Sequence, residues 1–90
     1  MKYAVSYEGY MRPSGAEIIE CKTDIEALIQ IEDEYGYGKF LGEIEEGERT
    51  LDSITIQEIK EYLDCNNGDG SDLIISVINL STQEILFRMG

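Results

Sequence analysis

Two Thr-x-x-Glu sequences constrain the fold of this chain most, because each predicts where a helix begins. Residues 23–26 and 55–58 both match the capping box, in which the threonine hydroxyl and the glutamate carboxylate each accept from the other residue's amide. Apolar residues follow both boxes at helical spacing. We therefore expect one helix from Thr23 to about Tyr35 and a second from Thr55 to about Asp64.

The segments around these helices carry strand patterns. Residues 2–8 alternate apolar and polar, and residues 16–22 return after a loop of glycine, proline and serine, so the two predict a hairpin. Residues 39–46 also alternate and predict a strand between the helices. Residues 72–79 are apolar on both faces, which is typical of a central strand, and residues 83–89 form its neighbour.

Together these elements predict one α+β domain over residues 1–90. The expected architecture is an antiparallel sheet with two helices, in the order β-β-α-β-α-β-β. In the last strand the alternate residues from Ile85 to Met89 face inward, so Leu86 joins Ile74 and Ile78 on the opposite face. That apolar face is either covered by helices or left free for a partner or a second copy of the chain.

The net charge of the chain limits the kinds of partner that it can bind. The chain has 19 acidic and 7 basic residues and a formal net charge of −12. Residues 17–48 alone hold eleven acids and two bases, so the acidity is concentrated in about a third of the chain. Such a surface repels nucleic acid and anionic lipid and attracts basic proteins, so we expect no direct binding to nucleic acid or membrane.

Catalysis is not expected. The chain has no histidine, which removes the commonest general base and metal ligand, and it has no glycine-rich phosphate-binding loop. Cys21 and Cys65 are not in a Cys-x-x-Cys motif, and we interpret them as free, small core residues, with a disulfide between them as the alternative. We expect no cofactor.

One segment resembles a metal site. Residues 64–72 are rich in oxygen ligands like a calcium loop, but Gly68, Asp69 and Ile75 occupy positions that such a loop reserves for other residues. We therefore expect a plain turn and no metal, with a calcium-binding module as a lesser alternative. No apolar run approaches the ~20 residues of a membrane span, and no secretory signal begins the chain, so the expected location is cytoplasmic.

Acids and tyrosines are the candidate binding residues. In the predicted strand, Glu43 and Glu45 lie on one face about 6.6–6.8 Å apart, and Glu46 and Glu48 extend the row. Such a row can imitate phosphates, which follow each DNA strand every ~3.4 Å. The six tyrosines include several beside glycines, and tyrosine is enriched at interfaces. The predicted partner-binding residues are Glu32, Asp33, Glu34, Tyr35, Tyr37, Glu43, Glu45, Glu46 and Glu48.

In its size, its acidity and its lack of catalytic motifs, the chain resembles small inhibitors encoded by phages and mobile elements, among them anti-CRISPR proteins and other DNA mimics. The resemblance implies an inhibitor that occludes the basic nucleic-acid-binding surface of a nuclease or CRISPR effector, in the host cytoplasm if a phage encodes it. Two alternatives remain open. One is an immunity protein against a nuclease toxin. The other is a self-associating structural or regulatory subunit, which would form a homodimer through the apolar sheet face.

Overall fold

The computed structural model describes residues 1–69 and 72–89 of the chain. In these residues four strands form one antiparallel sheet in the order β2-β1-β3-β4. Because β3 lies between β1 and β4, its prediction as a central strand is confirmed. The strands are β1 (Lys2–Glu8), β2 (Gly15–Glu20), β3 (Leu73–Asn79) and β4 (Glu84–Arg88).

Three helices lie between β2 and β3 in the chain. They are α1 (Asp24–Tyr35), α2 (Lys39–Glu45) and α3 (Ile56–Asn66), with a 3₁₀ turn at Leu51–Ser53. Both predicted helix starts are confirmed, since Thr23 Oγ1 accepts from the Glu26 amide at 3.2 Å and Thr55 Oγ1 accepts from the Glu58 amide at 3.1 Å. Within the described residues, no helix has the length and the apolar character needed to cross a membrane.

The α+β class and the antiparallel sheet are confirmed, but the strand predicted at residues 39–46 is wrong. This segment is helix α2, so the order is β-β-α-α-α-β-β in the residues that the structure describes. Phe40 is buried, and Leu41 and Ile44 pack against the core. The apolar residues of this segment therefore follow helical spacing rather than the alternation of a strand. Lys39 and Glu43 form a 3.0 Å salt bridge across one helical turn, a pair that a strand would not bring together in this way.

The core lies on one face of the sheet, between the strands and the helices. Tyr3 and Val5 of β1 face Asn79 and Val77 of β3 across the register, and all four are buried. The register shifts by one residue at Ile75 of β3, in its pairing with β1, and at Leu86 of β4, in its pairing with β3, and both shifts break the predicted alternation.

The shift against β4 corrects the predicted apolar face. Leu86 turns into the core beside Phe87, and both Leu86 and Ile74 are only 1% exposed. A face made of Ile74, Ile78 and Leu86 therefore does not exist. The opposite side of the sheet, here called the outer face, instead carries one apolar row across all four strands: Ile18, Ala4, Ile78 and Ile85. Ile18 is 64% exposed and Ile85 is 50% exposed.

A buried polar network ties the sheet to the start of α1. The Tyr3 hydroxyl donates to Asp24 Oδ1 at 2.9 Å, and Asn79 Nδ2 donates to the same oxygen at 2.9 Å. Asn79 Oδ1 in turn accepts from the amides of Ser81 and Thr82, which fixes the turn before β4. Burial of the phenol, together with its hydrogen bond to Asp24, raises the pKa of Tyr3 to about 12.

This raised pKa predicts an alkaline limit to stability. Folded Tyr3 keeps its proton up to about pH 12, whereas an unfolded tyrosine loses it near pH 10. Its contribution to the free energy of unfolding is therefore complete below pH 10 and is lost as the pH rises from 10 to 12. Urea unfolding across this range is expected to show a shallower decline for Tyr3→Phe than for the wild type. The exposed Tyr10→Phe is the matched control, and an equal decline in all three proteins would contradict the assignment.

Candidate protein-binding surface

Glu32 is a structural residue rather than a binding residue. Its side chain is completely buried, and its carboxylate accepts from the Gly38 amide at 2.7 Å and from the Phe40 amide at 3.3 Å. These amides belong to the first turn of α2, where backbone donors have no partner within the helix. Glu32 therefore joins the end of α1 to the start of α2, and its prediction as a partner-binding residue is wrong.

The glycines beside this joint explain its sequence. Gly38 has a φ of 71°, in the left-handed region that favours glycine, and a Cβ there would lie 2.5 Å from Asp33 Oδ1. A Cβ on Gly36 would lie 2.8 Å from the Glu32 carbonyl oxygen. The segment Tyr35–Gly38 is thus the turn that joins two packed helices.

Tyr35 is also structural. It is 1% exposed, and its hydroxyl donates to the Glu17 carboxylate on β2. Its ring lies 4.9 Å from the ring of Tyr7, and the Arg12 guanidinium lies 4.6 Å from the Tyr7 ring and 4.8 Å from the Tyr35 ring. Arg12 is held there by a 2.7 Å salt bridge to Asp72. A partner cannot reach Tyr35, so this prediction is wrong as well.

The predicted row of carboxylates does not form. In a helix, residues two apart point in different directions, so Glu43 and Glu45 of α2 do not share a face. Glu43 is half-buried between two cations, with Lys39 Nζ at 3.0 Å from its Oε2 and Arg49 Nη1 at 3.8 Å from its Oε1. That Oε1 is buried and accepts no hydrogen bond, so the guanidinium charge is what compensates it. Glu43 is therefore held by the fold, with 23% of its side chain exposed.

The remaining predicted residues are exposed and lie at the two ends of α2. Those before its first turn belong to the end of α1 and to the turn that follows it. The others are the last residue of α2 and the acids on both sides of Gly47. A helix of this length spans about 10 Å. In residues 1–69 and 72–89 none of these acids is within salt-bridge distance of a lysine or arginine. We call this set the acidic face: Asp33, Glu34, Tyr37, Glu45, Glu46 and Glu48.

Carboxyl groups within the acidic face crowd one another. A hydrogen bond shared with Glu46, together with the charge of Glu46, raises the pKa of Glu48. Partial burial, followed by a hydrogen bond shared with Glu17, raises the pKa of Glu34. The shift of Glu48 means that the ionised forms of Glu46 and Glu48 repel each other in the free protein, whereas the shift of Glu34 comes first from burial and then from Glu17, which lies outside the acidic face. A cation brought to this surface by a partner would relieve that repulsion.

The structure also bears on the predictions for the calcium-like loop and for the two cysteines. Asp64 lies within α3, and Asp72 accepts from the Tyr10 amide at 2.9 Å as well as binding Arg12, so the two ends of the suspected calcium loop have other roles. Gly70 and Ser71 of that loop lie outside the described residues. Both cysteines are free, but Cys65 is exposed, so only Cys21, which is half-buried, resembles the expected core residue.

A search of the described residues finds no group of histidine, cysteine, aspartate and glutamate side chains that could hold a metal ion. Comparisons with known proteins find no protein family, no curated protein and no solved structure that matches the chain.

Proposed function

We propose that the protein is an acidic inhibitor that binds a basic nucleic-acid-binding protein, such as a nuclease or a CRISPR effector, and covers its nucleic-acid-binding surface. The observation that carries the proposal is the acidic face, whose carboxylates are exposed and have no lysine or arginine partner in the part of the chain described. An immunity protein against a nuclease toxin would act in the same way.

The other acids of the chain support this by contrast. Glu32 is buried as a helix cap, Glu43 is compensated by two cations, and Glu58 is bound by Arg49. These three are held by the fold, whereas the acidic face keeps its charge for solvent or for a partner. Its carboxylates do not repeat at phosphate spacing, so the proposed mimicry is of negative potential rather than of backbone geometry.

Long-range electrostatic attraction would make the association of such an inhibitor with its target fast. A concentrated negative surface raises the association rate with a basic cleft by about 10–10³, and salt suppresses this gain steeply. Nucleic acid is drawn to the same cleft by the same forces. The inhibitor and the nucleic acid are therefore expected to exclude each other.

Displacement of nucleic acid tests the proposal. A purified nuclease or guide-loaded CRISPR effector is loaded with fluorescently labelled DNA, and the protein is added while fluorescence anisotropy is followed. We expect the DNA to be released, with an apparent affinity that weakens as the DNA concentration is raised. A ternary complex in which the protein binds while the DNA stays bound and is still cleaved would count against the proposal.

A second candidate function rests on the outer face. Its row of Ile18, Ala4, Ile78 and Ile85 has exposed side chains at both ends, and exposed apolar patches mark interaction sites. A self-associating subunit would use this face. Light scattering over a dilution series separates the two candidates, since a tight dimer that persists in high salt favours self-association and a monomer at all concentrations removes it.

A further inference from the structure

An apolar groove runs between α1, α2 and the 3₁₀ turn. Its walls are Ile29 of α1, Leu41 and Ile44 of α2, and Leu51, and it encloses about 330 Å³. A second cavity of about 290 Å³ adjoins it and shares Leu51 and Glu26. We call the two together the α1–α2 groove. Leu51 is 38% exposed, so a large apolar side chain is left open to solvent at its centre.

The rim of the groove is acidic. Glu26 and Asp33 line the first cavity, and Asp52 lines the second. Glu45 lies one helical turn after Leu41, on the same side of α2. Among the described residues that line the two cavities there is no lysine or arginine. The groove therefore offers an apolar floor between negative edges.

The groove is held open before any partner arrives. Arg49 Nη2 donates to the Ser53 carbonyl at 2.6 Å and to Glu58 Oε1 at 2.8 Å. These bonds fix the turn that carries Leu51 against the start of α3. A preformed groove spares a ligand the cost of ordering it.

The geometry points to a basic amphipathic helix of a protein partner as the occupant of the α1–α2 groove. The inference rests on the proposed function and names the chemistry of the partner segment. Leucine-like side chains at positions i, i+3 or i+4, and i+7 of such a helix would enter the groove, and its flanking lysines or arginines would meet Glu26, Asp33 and Glu45.

Charge and backbone chemistry select this occupant. An extended peptide would place unpaired amides and carbonyls against apolar walls that offer no strand edge, whereas a helix satisfies its own backbone. A second copy of this chain is disfavoured, since its net charge of −12 would be brought against Glu26, Asp33 and Asp52 of the groove.

Designed peptides test the inference. The probe is a fluorescein-labelled peptide of about 18 residues, roughly five helical turns, built from lysine with leucine along one helical stripe. A scrambled peptide of identical composition keeps the charge but loses the stripe. By anisotropy at about 0.15 M salt, where exposed charges are screened within ~8 Å, we expect the striped peptide to bind at least about 10-fold more tightly than the scrambled one.

Protein variants locate the site. Leu51→Ala removes the most exposed wall and is expected to weaken the striped peptide by roughly 5- to 10-fold, as loss of a few buried methylene groups would. Leu80→Ala, at a leucine of similar exposure (43% against 38%) in the turn after β3, is expected to leave binding unchanged. Circular dichroism melts confirm that both variants are folded.

The outcomes separate this inference from the proposed function. Equal affinity for the striped and scrambled peptides, or no loss with Leu51→Ala, overturns the groove assignment and leaves the DNA-displacement result untouched. Tight, Leu51-dependent binding of the striped peptide supports the groove even where no DNA is displaced from any target, and in that case only the proposed function fails.

Discussion

Glu32→Ala is expected to lower the free energy of unfolding by about 3–5 kcal/mol. The substitution leaves the amides of Gly38 and Phe40 without their acceptor in a buried site, at a cost of about 1–3 kcal/mol for each unpaired donor, and it adds a cavity. Domains of this kind have only about 5–15 kcal/mol of stability in total. Urea unfolding followed by circular dichroism measures the loss.

A loss of stability in Glu32→Ala would distinguish a structural acid from an exposed one. In a chain of net charge −12, removing a carboxylate relieves repulsion, so an acid without a structural role would be neutral or stabilising when replaced. Asp33→Ala, the exposed neighbour in the same helical turn, is the matched control and is expected to change stability by less than about 0.5 kcal/mol. Two variants of equal stability would contradict the role of Glu32 as the cap of α2.

Most of the fold could be predicted because its signals are local. The threonines of the two capping boxes bind the predicted amides, and the hairpin, the central strand and the last strand all appear where their periodicity places them. Residues 39–46 were ambiguous because a segment of only two helical turns fits both periods. The signals for a helix were the opposite charges of Lys39 and Glu43, one helical turn apart, and the spacing of Leu41 and Ile44, which share a face in a helix but not in a strand.

The candidate site was harder to predict, because exposure depends on contacts between distant residues. Helical spacing places Glu32, unlike Asp33, on the buried stripe of α1 with Leu28. The acceptor role of its carboxylate could not be predicted, because it depends on the amides of Gly38 and Phe40 in the next helix. The register shift at Leu86 of β4 turns this side chain into the core and leaves Ile85 outside. The α1–α2 groove also depends on the position of Leu51, which Arg49 sets through bonds to a turn and a helix that follow it.

Removing charge from the acidic face is expected to have the largest effect on binding. Glu45→Gln, Glu46→Gln and Glu48→Gln together keep the shape of the last turn of α2 and remove three negative charges. At about 1 kcal/mol for each carboxylate that meets a base in the complex, the affinity for a basic nucleic-acid-binding target should fall by about 3 kcal/mol, or roughly 100-fold. Isothermal titration calorimetry on the target used for DNA displacement measures the change.

The position of the carboxylates, rather than the net charge of the chain, is expected to determine binding. The decisive comparison is therefore with Glu8→Gln, Glu20→Gln and Glu84→Gln, a triple variant that removes the same charge from exposed positions on the strands. On one target and at one salt concentration, the account predicts that the acidic-face variant binds at least about 10-fold more weakly than the strand variant. Equal dissociation constants for the two would show that only net charge matters and would contradict the assignment of the acidic face as the binding surface.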